Sequence, residues 1–327
     1  MFRLRPQLMI VVSYFFVILA GAYLLSLPLA SAQGLSTRPL DALFIASSAV
    51  CDSGLTTLDL GAHFSFFGLT VIIVLVQLGG LGLMTFATFM VIAFRQRLFI
   101  PQKLAIQEAL NIYSARDVLS VMGRILGVVF FFEAIGALVL FWRWLPQLGF
   151  GQALFHGVFH SIAAFNNAGF ALFANYANLT AYVTDPVINL TIAVLAVSGG
   201  LGFIVIADLL EHRRASLHTK VVIITSLILI ALGALVIFLV EYHNPATLAP
   251  LSLGQKLMTA FFQAVTARTA GLHTLNIGQY LPATALFTML LMFIGASPGG
   301  TGGGIKTTTF ALVLATIAAT LKGKRDT

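Results

Sequence analysis

Residues 49–55 read AVCDSGL, a polar loop with one glycine at the end of a short apolar stretch. Two later segments have the same order, FNNAGF at 165–170 and ARTAGL at 267–272. The apolar stretches that lead into the three loops cover 41–50, 152–165 and 255–267. Stretches of about 10–14 residues are too short to cross a bilayer, which favours re-entrant segments. The sequence therefore predicts three short helices within the membrane that end in polar loops containing Gly54, Gly169 and Gly271.

A second set of glycines follows each loop, inside the next apolar run. The segments are GGLG at 79–82, GGLG at 199–202 and GGTGGG at 299–304. Two glycine features in the same order, three times over, indicate an internal repeat with a period of roughly 100 residues. We therefore predict three repeats, each built as span, re-entrant helix with polar loop, and span. Their boundaries are 1–97, 98–214 and 215–327.

The composition of the 327 residues excludes a soluble protein. Hydrophobic residues make up 59% of the chain and charged residues only 9%, whereas soluble domains carry about 25% charged residues. The first apolar run is longer than the apolar core of a signal peptide, so we expect it to be retained as a span. The sequence predicts an all-α polytopic membrane protein with six crossings. The apolar runs lie at 8–27, 66–94, 118–145, 187–210, 221–240 and 282–321.

The basic residues set the expected orientation in the membrane. The net charge is +7, and thirteen of the eighteen Lys and Arg residues fall in four clusters beside apolar runs. Under the positive-inside rule, these clusters and the N-terminus are cytoplasmic. With no soluble domain to present a basic face, nucleic-acid binding is excluded, and the single cysteine excludes an internal disulfide. The clusters are Arg3 and Arg5; Arg95, Arg97, Lys103, Arg116 and Arg124; Arg213, Arg214 and Lys220; and Lys322, Lys324 and Arg325.

The repeated loop has the chemistry of a cation pathway. Irregular backbone at membrane depth is tolerated where it lines a water-filled path or is buried in protein, and its free carbonyls can replace the hydration shell of a cation. Glycine allows the positive φ that turns such a carbonyl, and the C-terminal end of a short helix adds partial negative charge. The pattern therefore favours a monovalent cation pathway over the alternative that the glycines serve only helix packing.

Four segments resemble the pore loops and the intramembrane loop of the Trk/Ktr/HKT potassium transporters, and in particular the membrane subunit of bacterial Ktr uptake systems. They lie at 49–56, 159–170, 263–272 and 295–309. The resemblance covers nearly the whole chain. It implies repeats arranged like potassium-channel subunits, K⁺ as the transported ion, and Na⁺ as an activator or coupled ion. It also implies a homodimer in the lipid bilayer and a cytoplasmic ring of nucleotide-binding regulatory subunits.

The resemblance also implies roles for individual residues. Gly54, Gly169 and Gly271 would line a K⁺ selectivity filter, and glycine at the first position is the form associated with K⁺ rather than Na⁺. We include the residues before each glycine in the predicted filter, which then consists of Cys51, Asp52, Ser53, Gly54, Asn166, Asn167, Ala168, Gly169, Arg268, Thr269, Ala270 and Gly271. The resemblance implies a gating loop at Gly299, Gly300, Thr301, Gly302, Gly303 and Gly304, and we add Lys306, which follows it, to the predicted gate.

The family has four repeats, and this sequence holds three. With one wall of the carbonyl ring missing, unsatisfied backbone groups would face lipid. The sequence therefore predicts an incomplete pore that does not conduct alone. The alternative is a non-conducting fragment whose activity is association with partner subunits.

Charged residues near the predicted filter have alternative interpretations. Asp52 either attracts cations at the outer mouth or caps local N–H groups, and Arg268 is expected to tie down its loop. Glu133, an intramembrane acid, is expected to support a pore helix by hydrogen bonding. Lys306 is either a movable barrier in the gate or a side chain that reaches the cytoplasmic interface. His156 and His160 are expected to be structural, since a third metal ligand is lacking.

Two motifs suggest an enzyme and fail in detail. Residues 295–299 fit the G-x-S-x-G pattern around Ser297, but that motif requires a strand-to-helix turn and a histidine partner. Residues 300–307 resemble a phosphate-binding loop, yet Ile305 stands where glycine must precede Lys306. We therefore expect no enzymatic activity, with an intramembrane serine hydrolase as the rival interpretation.

Overall fold

The computed structural model describes residues 6–82, 118–211 and 215–322, and these ranges are almost entirely helical. Within them, β-type pairing is confined to two isolated bridges, Ser31 with Phe64 and Ile294 with Ile305. The helices are α1 (Pro6–Ser26), α2 (Pro39–Val50), α3 (Leu60–His63), α4 (Phe66–Gly80), α5 (Val118–Phe165), α6 (Pro186–Leu201), α7 (Phe203–Glu211), α8 (Leu217–Glu241), α9 (Leu253–Arg268), α10 (Pro282–Phe293) and α11 (Thr307–Leu321). The predicted all-α class is confirmed.

Proline and polar caps set where the helices begin. Pro39, Pro186 and Pro282 each occupy the first turn of a helix, where a missing N–H costs nothing. The Asp185 carboxylate accepts hydrogen bonds from two N–H groups at the start of α6. Ser252 opens α9 with a capping box that includes Gln255, so the first turn has its free donors satisfied.

The long helix α5 contains both a predicted span and a predicted re-entrant helix. Gly149 has φ 74° and ψ 170° and interrupts the helical backbone there. Pro146 lies just before it and removes one hydrogen-bond donor from the helix. The part of α5 after Gly149 is the second short helix, and it ends at Phe165.

Glycines break the second span of each predicted repeat. In the first, α4 ends at Gly80 and Gly82 has φ 75°. In the second, α6 and α7 meet at Gly202, which has φ 91°, and the two helices are bent by 96°. In the third, an irregular segment at 294–306 separates α10 from α11. The glycine clusters at 79–82, 199–202 and 299–304 therefore mark ends of helices.

Among the described residues, two helices are long and apolar enough to cross a membrane, or three if the bent pair α6 and α7 counts as one span. They are Gly123–Phe165 and Leu217–Glu241. The three other predicted crossings, at 8–27, 66–94 and 282–321, coincide with four shorter apolar helices, since the irregular segment at 294–306 divides the last of them. These helices are Val11–Ser26, Phe66–Gly80, Pro282–Phe293 and Thr307–Leu321.

The chain packs as two units, residues 1–178 and 179–327. The core of the first lies among α1, α2, α4 and the end of α5, where Ile45, Ile72 and Phe159 are fully buried. In the second unit, α8 packs against α9, and Ile237, Ala260 and Ala264 form part of that contact. The predicted boundaries of the repeats remain a prediction.

Apolar side chains also cover the outside of both units. On α8, Ile224, Leu227 and Ile228 are 56–61% exposed, as expected for a helix that faces lipid. Of the four basic clusters, Arg124, Lys220 and Lys322 lie in the described ranges, and the other members lie outside them.

Candidate functional site

The first loop begins where α2 ends. Asp52 has φ 50°, in the left-handed region that Asp and Asn tolerate best among residues with side chains. The N–H of Ser53 then donates to the carbonyl of Ser48 at 3.0 Å, and the Ser53 hydroxyl donates to that of Ser48 at 2.9 Å. This is a Schellman-type helix end. Gly54 follows with φ 71°.

The second loop has the same helix end. Asn167 has φ 57°, and Gly169 has φ 73°. Between them, the N–H of Ala168 donates to the carbonyl of Ala163 at 2.9 Å. The left-handed residue therefore stands two positions before the predicted filter glycine, as Asp52 does in the first loop. This places Asp52 at a backbone turn, and its Oδ1 is buried with no hydrogen bond to the described residues.

The third loop ends its helix differently. The N–H of Gly271 itself donates to the carbonyl of Thr266 at 3.1 Å, and Gly271 has φ 66°. Thr269 takes an extended φ of −152°, so no left-handed residue precedes the glycine here. The three glycines share positive φ, but the hydrogen bond that closes the helix is shifted by one residue in this loop.

Within the first unit, the first two loops touch. A Cβ placed on Gly54 would lie 2.7 Å from the carbonyl oxygen of Ala168 and 2.9 Å from the Cα of Gly169. Both distances are closer than a side-chain carbon approaches backbone in a folded protein. The structure thus brings two of the predicted filter glycines together and leaves no space for a side chain between them.

Buried side chains hold the backbone that returns from the second and third loops. The His160 ring is fully buried, and its Nε2 accepts from the N–H of Leu172 at 3.3 Å. Its Nδ1 is paired with the carbonyl of His156 at 2.8 Å. Both ring nitrogens are therefore in use, which assigns His160 as neutral with the proton on Nδ1. This agrees with the expected structural role rather than with metal binding.

Gln263 holds the backbone that returns from the third loop. In the amide orientation that satisfies both of its polar atoms, Oε1 accepts from the N–H groups of Thr274 and Leu275, each at 3.0 Å, and Nε2 donates to the Tyr280 hydroxyl at 3.3 Å. Burial raises the pKa of Tyr280 well above its usual range, and the nearby Glu241 carboxylate raises it further. That hydroxyl therefore stays protonated. The sequence does not single out Gln263, since nothing in its local pattern separates it from other polar residues on a helix.

A buried polar cluster lies behind the second loop. Glu133 is 5% exposed and accepts from Gln77 Nε2 through Oε2 and from Asn166 Nδ2 through Oε1, both at 3.2 Å. Asn166 Nδ2 also donates to Gln77 Oε1 at 2.9 Å, and the Ser161 hydroxyl donates to the backbone carbonyl of Glu133 at 2.7 Å. Glu133 thus bonds the second short helix, the role that its position in the sequence predicts, whereas the sequence does not single out Gln77.

Arg268 connects the third loop to the intramembrane segment. Its Nη2 donates to the carbonyl of Gly295 at 3.0 Å. Beside it, a Cβ on Gly302 would meet Thr269 Cγ2 at 2.6 Å. The third loop and the glycine-rich segment are therefore in direct contact within the second unit.

The glycine-rich segment is bonded to the glycine break between α6 and α7. Ser297 and Thr301 donate through their N–H groups to the carbonyls of Gly200 and Gly199, at 2.9 and 3.1 Å. In return, the N–H of Phe203 donates to the carbonyl of Gly299 at 3.0 Å. Three backbone hydrogen bonds therefore join the intramembrane segment to the second span of the preceding repeat.

Lys306 and two glycines shape the rest of this segment. Gly299 and Gly304 have φ values of 72° and 77°. Lys306 is half-buried, and its Nζ donates to the carbonyl of Gly302 at 2.8 Å. The ammonium group is thus held by the loop itself.

The geometry around Ser297 does not support a hydrolase. Its side chain is fully buried, and its hydroxyl is hydrogen-bonded to that of Thr307 at 2.8 Å. A short bridge between Ile294 and Ile305 and the start of α11 surround it, rather than the strand-to-helix turn that exposes a nucleophile.

Comparison with known proteins identifies the class. A family model described as TrkH, cation transport protein, matches residues 2–327. The chain belongs to this family, whose members are transporters and not enzymes, in agreement with the sequence analysis.

Individual relatives agree with this assignment. The chain is 42% identical to Ktr system potassium uptake protein B of Bacillus subtilis, over 99% of this chain and 73% of the relative. It is 39% identical to the protein of the same name from Vibrio alginolyticus, over 97% of this chain and 70% of the relative. It is 36% identical to the potassium/sodium uptake protein NtpJ of Enterococcus hirae, over 98% of this chain and 71% of the relative.

A solved structure has the same fold. The potassium transporter TrkH from Vibrio parahaemolyticus superposes with a TM-score of 0.75 at 19% sequence identity, over 98% of this chain. This chain spans 63% of the length of that structure's chain. At this identity, the similarity establishes the fold alone.

Proposed function

We propose that this chain is a pore-forming subunit of a bacterial potassium uptake system of the Ktr or Trk type. The observation that carries the proposal is the repeated loop: three short helices end in polar loops whose glycines have φ values of 71°, 73° and 66°. Each loop presents irregular backbone in an apolar protein, where free carbonyls can replace the water around a monovalent cation. Relatives at 42% and 39% identity are named for potassium uptake.

Backbone carbonyls in each loop bind K⁺ in this proposal. The residues that supply or shape them are Cys51, Asp52, Ser53 and Gly54; Asn166, Asn167, Ala168 and Gly169; and Arg268, Thr269, Ala270 and Gly271. K⁺ lies nearest Gly54, Gly169 and Gly271. The contact between Gly54 and the 168–169 backbone supports a filter in which only glycine fits at the first position.

The intramembrane segment is the proposed gate, formed by Gly299, Gly300, Thr301, Gly302, Gly303, Gly304 and Lys306. Its glycines give the backbone the freedom to change conformation. The hydrogen bonds that hold it are mostly from backbone to backbone, with added bonds from the Arg268 and Lys306 side chains. Transport is passive, with no covalent chemistry.

The proposed assembly follows the family. Two membrane subunits pair in the cell membrane with their N-termini in the cytoplasm, and a ring of nucleotide-binding regulatory subunits binds the cytoplasmic side. Na⁺ is proposed as an activator or coupled ion, in line with a relative named for potassium and sodium uptake. The three repeats at 1–97, 98–214 and 215–327 are the proposed organisation.

The test uses a bacterial strain that lacks its own K⁺ uptake systems, given the complete gene that contains the coding sequence of this chain together with a nucleotide-binding regulatory subunit. We expect growth at limiting K⁺ and faster uptake of K⁺ than of Na⁺. Gly169→Val should abolish uptake, because a β-branched residue resists positive φ and so displaces the carbonyls of the proposed filter. Gly34→Val is the control, because Gly34 has φ 70° in a turn outside the proposed filter, so it carries the same backbone strain without displacing those carbonyls. Uptake no faster than in cells with an empty vector would refute the proposal.

A further inference from the structure

Glu133 joins three separate elements of the first unit. It lies in α5 before Gly149, while Gln77 lies in α4 and Asn166 stands at the end of α5. Both of its carboxylate oxygens accept from these two amide side chains, and the amides bond each other. A buried acid with both oxygens occupied by protein donors is placed to hold those donors.

The cluster reaches both predicted filter loops of this unit. On one side, Asn166 comes directly before the left-handed Asn167 and three residues before Gly169. On the other side, Gln77 is two residues from Gly79, and a Cβ on Gly79 would lie 3.0 Å from the Cα of Val50, the last residue of α2.

Close packing at Gly80 leaves the cluster little freedom. A Cβ on Gly80 would lie 2.7 Å from both Cβ and Cγ of Asn166. The amide of Asn166 is therefore confined between Gly80 and the Glu133 carboxylate. The bonds to Glu133 therefore connect the end of the second short helix to α4, and α4 packs at Gly79 against the end of α2, where the first loop begins.

We propose that Glu133 is a positioning residue for ion selectivity, which sets the spacing between the first and second filter loops through its hydrogen bonds to Gln77 and Asn166. The inference rests on the proposed function. Selection between K⁺ and Na⁺ by a carbonyl site depends on the distances and number of its oxygens. A residue that fixes the backbone of two loops therefore affects selectivity without contacting the ion.

The experiment compares Glu133→Leu with Glu133→Gln, measuring the ratio of K⁺ to Na⁺ uptake and the apparent KM for K⁺. Leucine removes both acceptor oxygens, and we expect the ratio to fall about tenfold, in line with about 1.4 kcal/mol for the loss of buried hydrogen bonds. Glutamine should keep the ratio within about twofold, because its side-chain oxygen still accepts from one of the two amides, Gln77 Nε2 or Asn166 Nδ2, and its size matches that of glutamate.

Glu241→Leu is the matched control. Glu241 is also a buried carboxylate, and it accepts from Asn244 Nδ2 and Thr247 Oγ1, both at 2.6 Å, and from the N–H of Leu281 at 2.9 Å. These donors belong to loop segments away from residues 269–271, so its loss should lower stability and leave the uptake ratio unchanged. An unchanged ratio in Glu133→Leu, or an equal fall in Glu133→Gln, would overturn the inference.

Hydrogen exchange in the purified protein separates this inference from the proposed function. In Glu133→Leu, peptides that contain residues 51–55 and 166–170 should exchange faster, because the amides of Ser53 and Ala168 close the two helix ends. Protection equal to wild type would overturn the inference whether or not the chain transports K⁺. If the leucine variant does not accumulate, Gln77→Leu removes one bond to the carboxylate and serves in both measurements.

Discussion

Gly54 lies against Gly169 so closely that a Cβ on Gly54 would come within 2.9 Å of the Cα of Gly169. Both residues have positive φ, 71° and 73°. The close approach and the left-handed backbone are two independent reasons for glycine at position 54. Replacing that glycine should therefore have two separate effects, one on backbone conformation and one on the contact between the loops.

Gly54→Ala should lower stability and reduce the preference for K⁺ over Na⁺. The left-handed conformation costs a non-glycine residue about 1–2 kcal/mol, and the new methyl group must in addition displace the carbonyl of Ala168. Thermal unfolding and the K⁺ to Na⁺ uptake ratio measure the two effects.

Gly34→Ala is the control for this substitution. Gly34 has φ 70°, yet no described atom lies within 4 Å of its Cβ position. It should show the conformational cost alone, with normal selectivity. If the two variants behave alike, the contact between the first two loops has no bearing on selectivity.

Arg268→Gln should loosen the intramembrane segment. The guanidinium donates to the carbonyl of Gly295, and a hydrogen bond from a charged group contributes about 1.5–3 kcal/mol. We expect uptake in the absence of the regulatory subunit to rise about tenfold, since about 1.4 kcal/mol corresponds to a factor of ten.

Lys256→Gln controls for the loss of a buried cation on the same helix. The Lys256 ammonium donates to the backbone carbonyl of Tyr242 at 3.0 Å and lies 3.9 Å from the centre of the Tyr242 aromatic ring. Both of these contacts are with Tyr242 and neither involves residues 295–306, so its loss should leave the dependence on the regulatory subunit intact. Regulation as tight in Arg268→Gln as in wild type would contradict the assigned role.

The sequence was sufficient to find the three loops. A polar loop with a glycine after a short apolar stretch indicates a re-entrant helix in a membrane protein. This pattern occurs three times at a regular spacing. The structure places the short helices at Pro39–Val50, in α5 after Gly149, and at Leu253–Arg268. The family and the all-α class followed from the same pattern.

The contacts between loops could not be predicted from the sequence. Whether a helix ends through a left-handed Asn167 or through an extended Thr269 depends on which hydrogen bond closes its last turn. Gln77 bonds Glu133, which is distant along the chain. Gln263 bonds backbone N–H groups whose positions depend on how the third loop folds. Similarly, the 297–301 segment packs against the bend at Gly202, a contact between distant parts of the chain that local sequence does not encode.

Gly202→Ala should displace the intramembrane segment. Gly202 has φ 91°, and a Cβ there would lie 2.5 Å from the carbonyl oxygen of Pro298 and 3.1 Å from the N atom of Gly300. Both neighbours are backbone, so the contact is relieved by movement of the segment. We expect faster hydrogen exchange at 297–303 and altered transport.

Gly149→Ala is the control for Gly202→Ala, because it introduces the conformational strain of positive φ without displacing the intramembrane segment. Gly149 has φ 74° with open space around its Cβ position among the described residues. Its replacement should leave exchange at 297–303 as in wild type. Equal protection of that segment in Gly202→Ala and wild type would show that the bend at Gly202 does not hold it.

His160→Phe should destabilise the second loop more than His160→Gln. Phenylalanine fills the space beside Trp144, whose ring centre lies 5.0 Å from that of His160, but it offers no acceptor to the N–H of Leu172. An unsatisfied buried donor costs about 1–3 kcal/mol, which should appear as a lower Tm and faster exchange at residues 170–173. Glutamine can still accept from that N–H, so part of the loss should be recovered. If phenylalanine matches wild type in both measurements, the ring at position 160 acts through packing, and the hydrogen bond to Leu172 does not hold the loop.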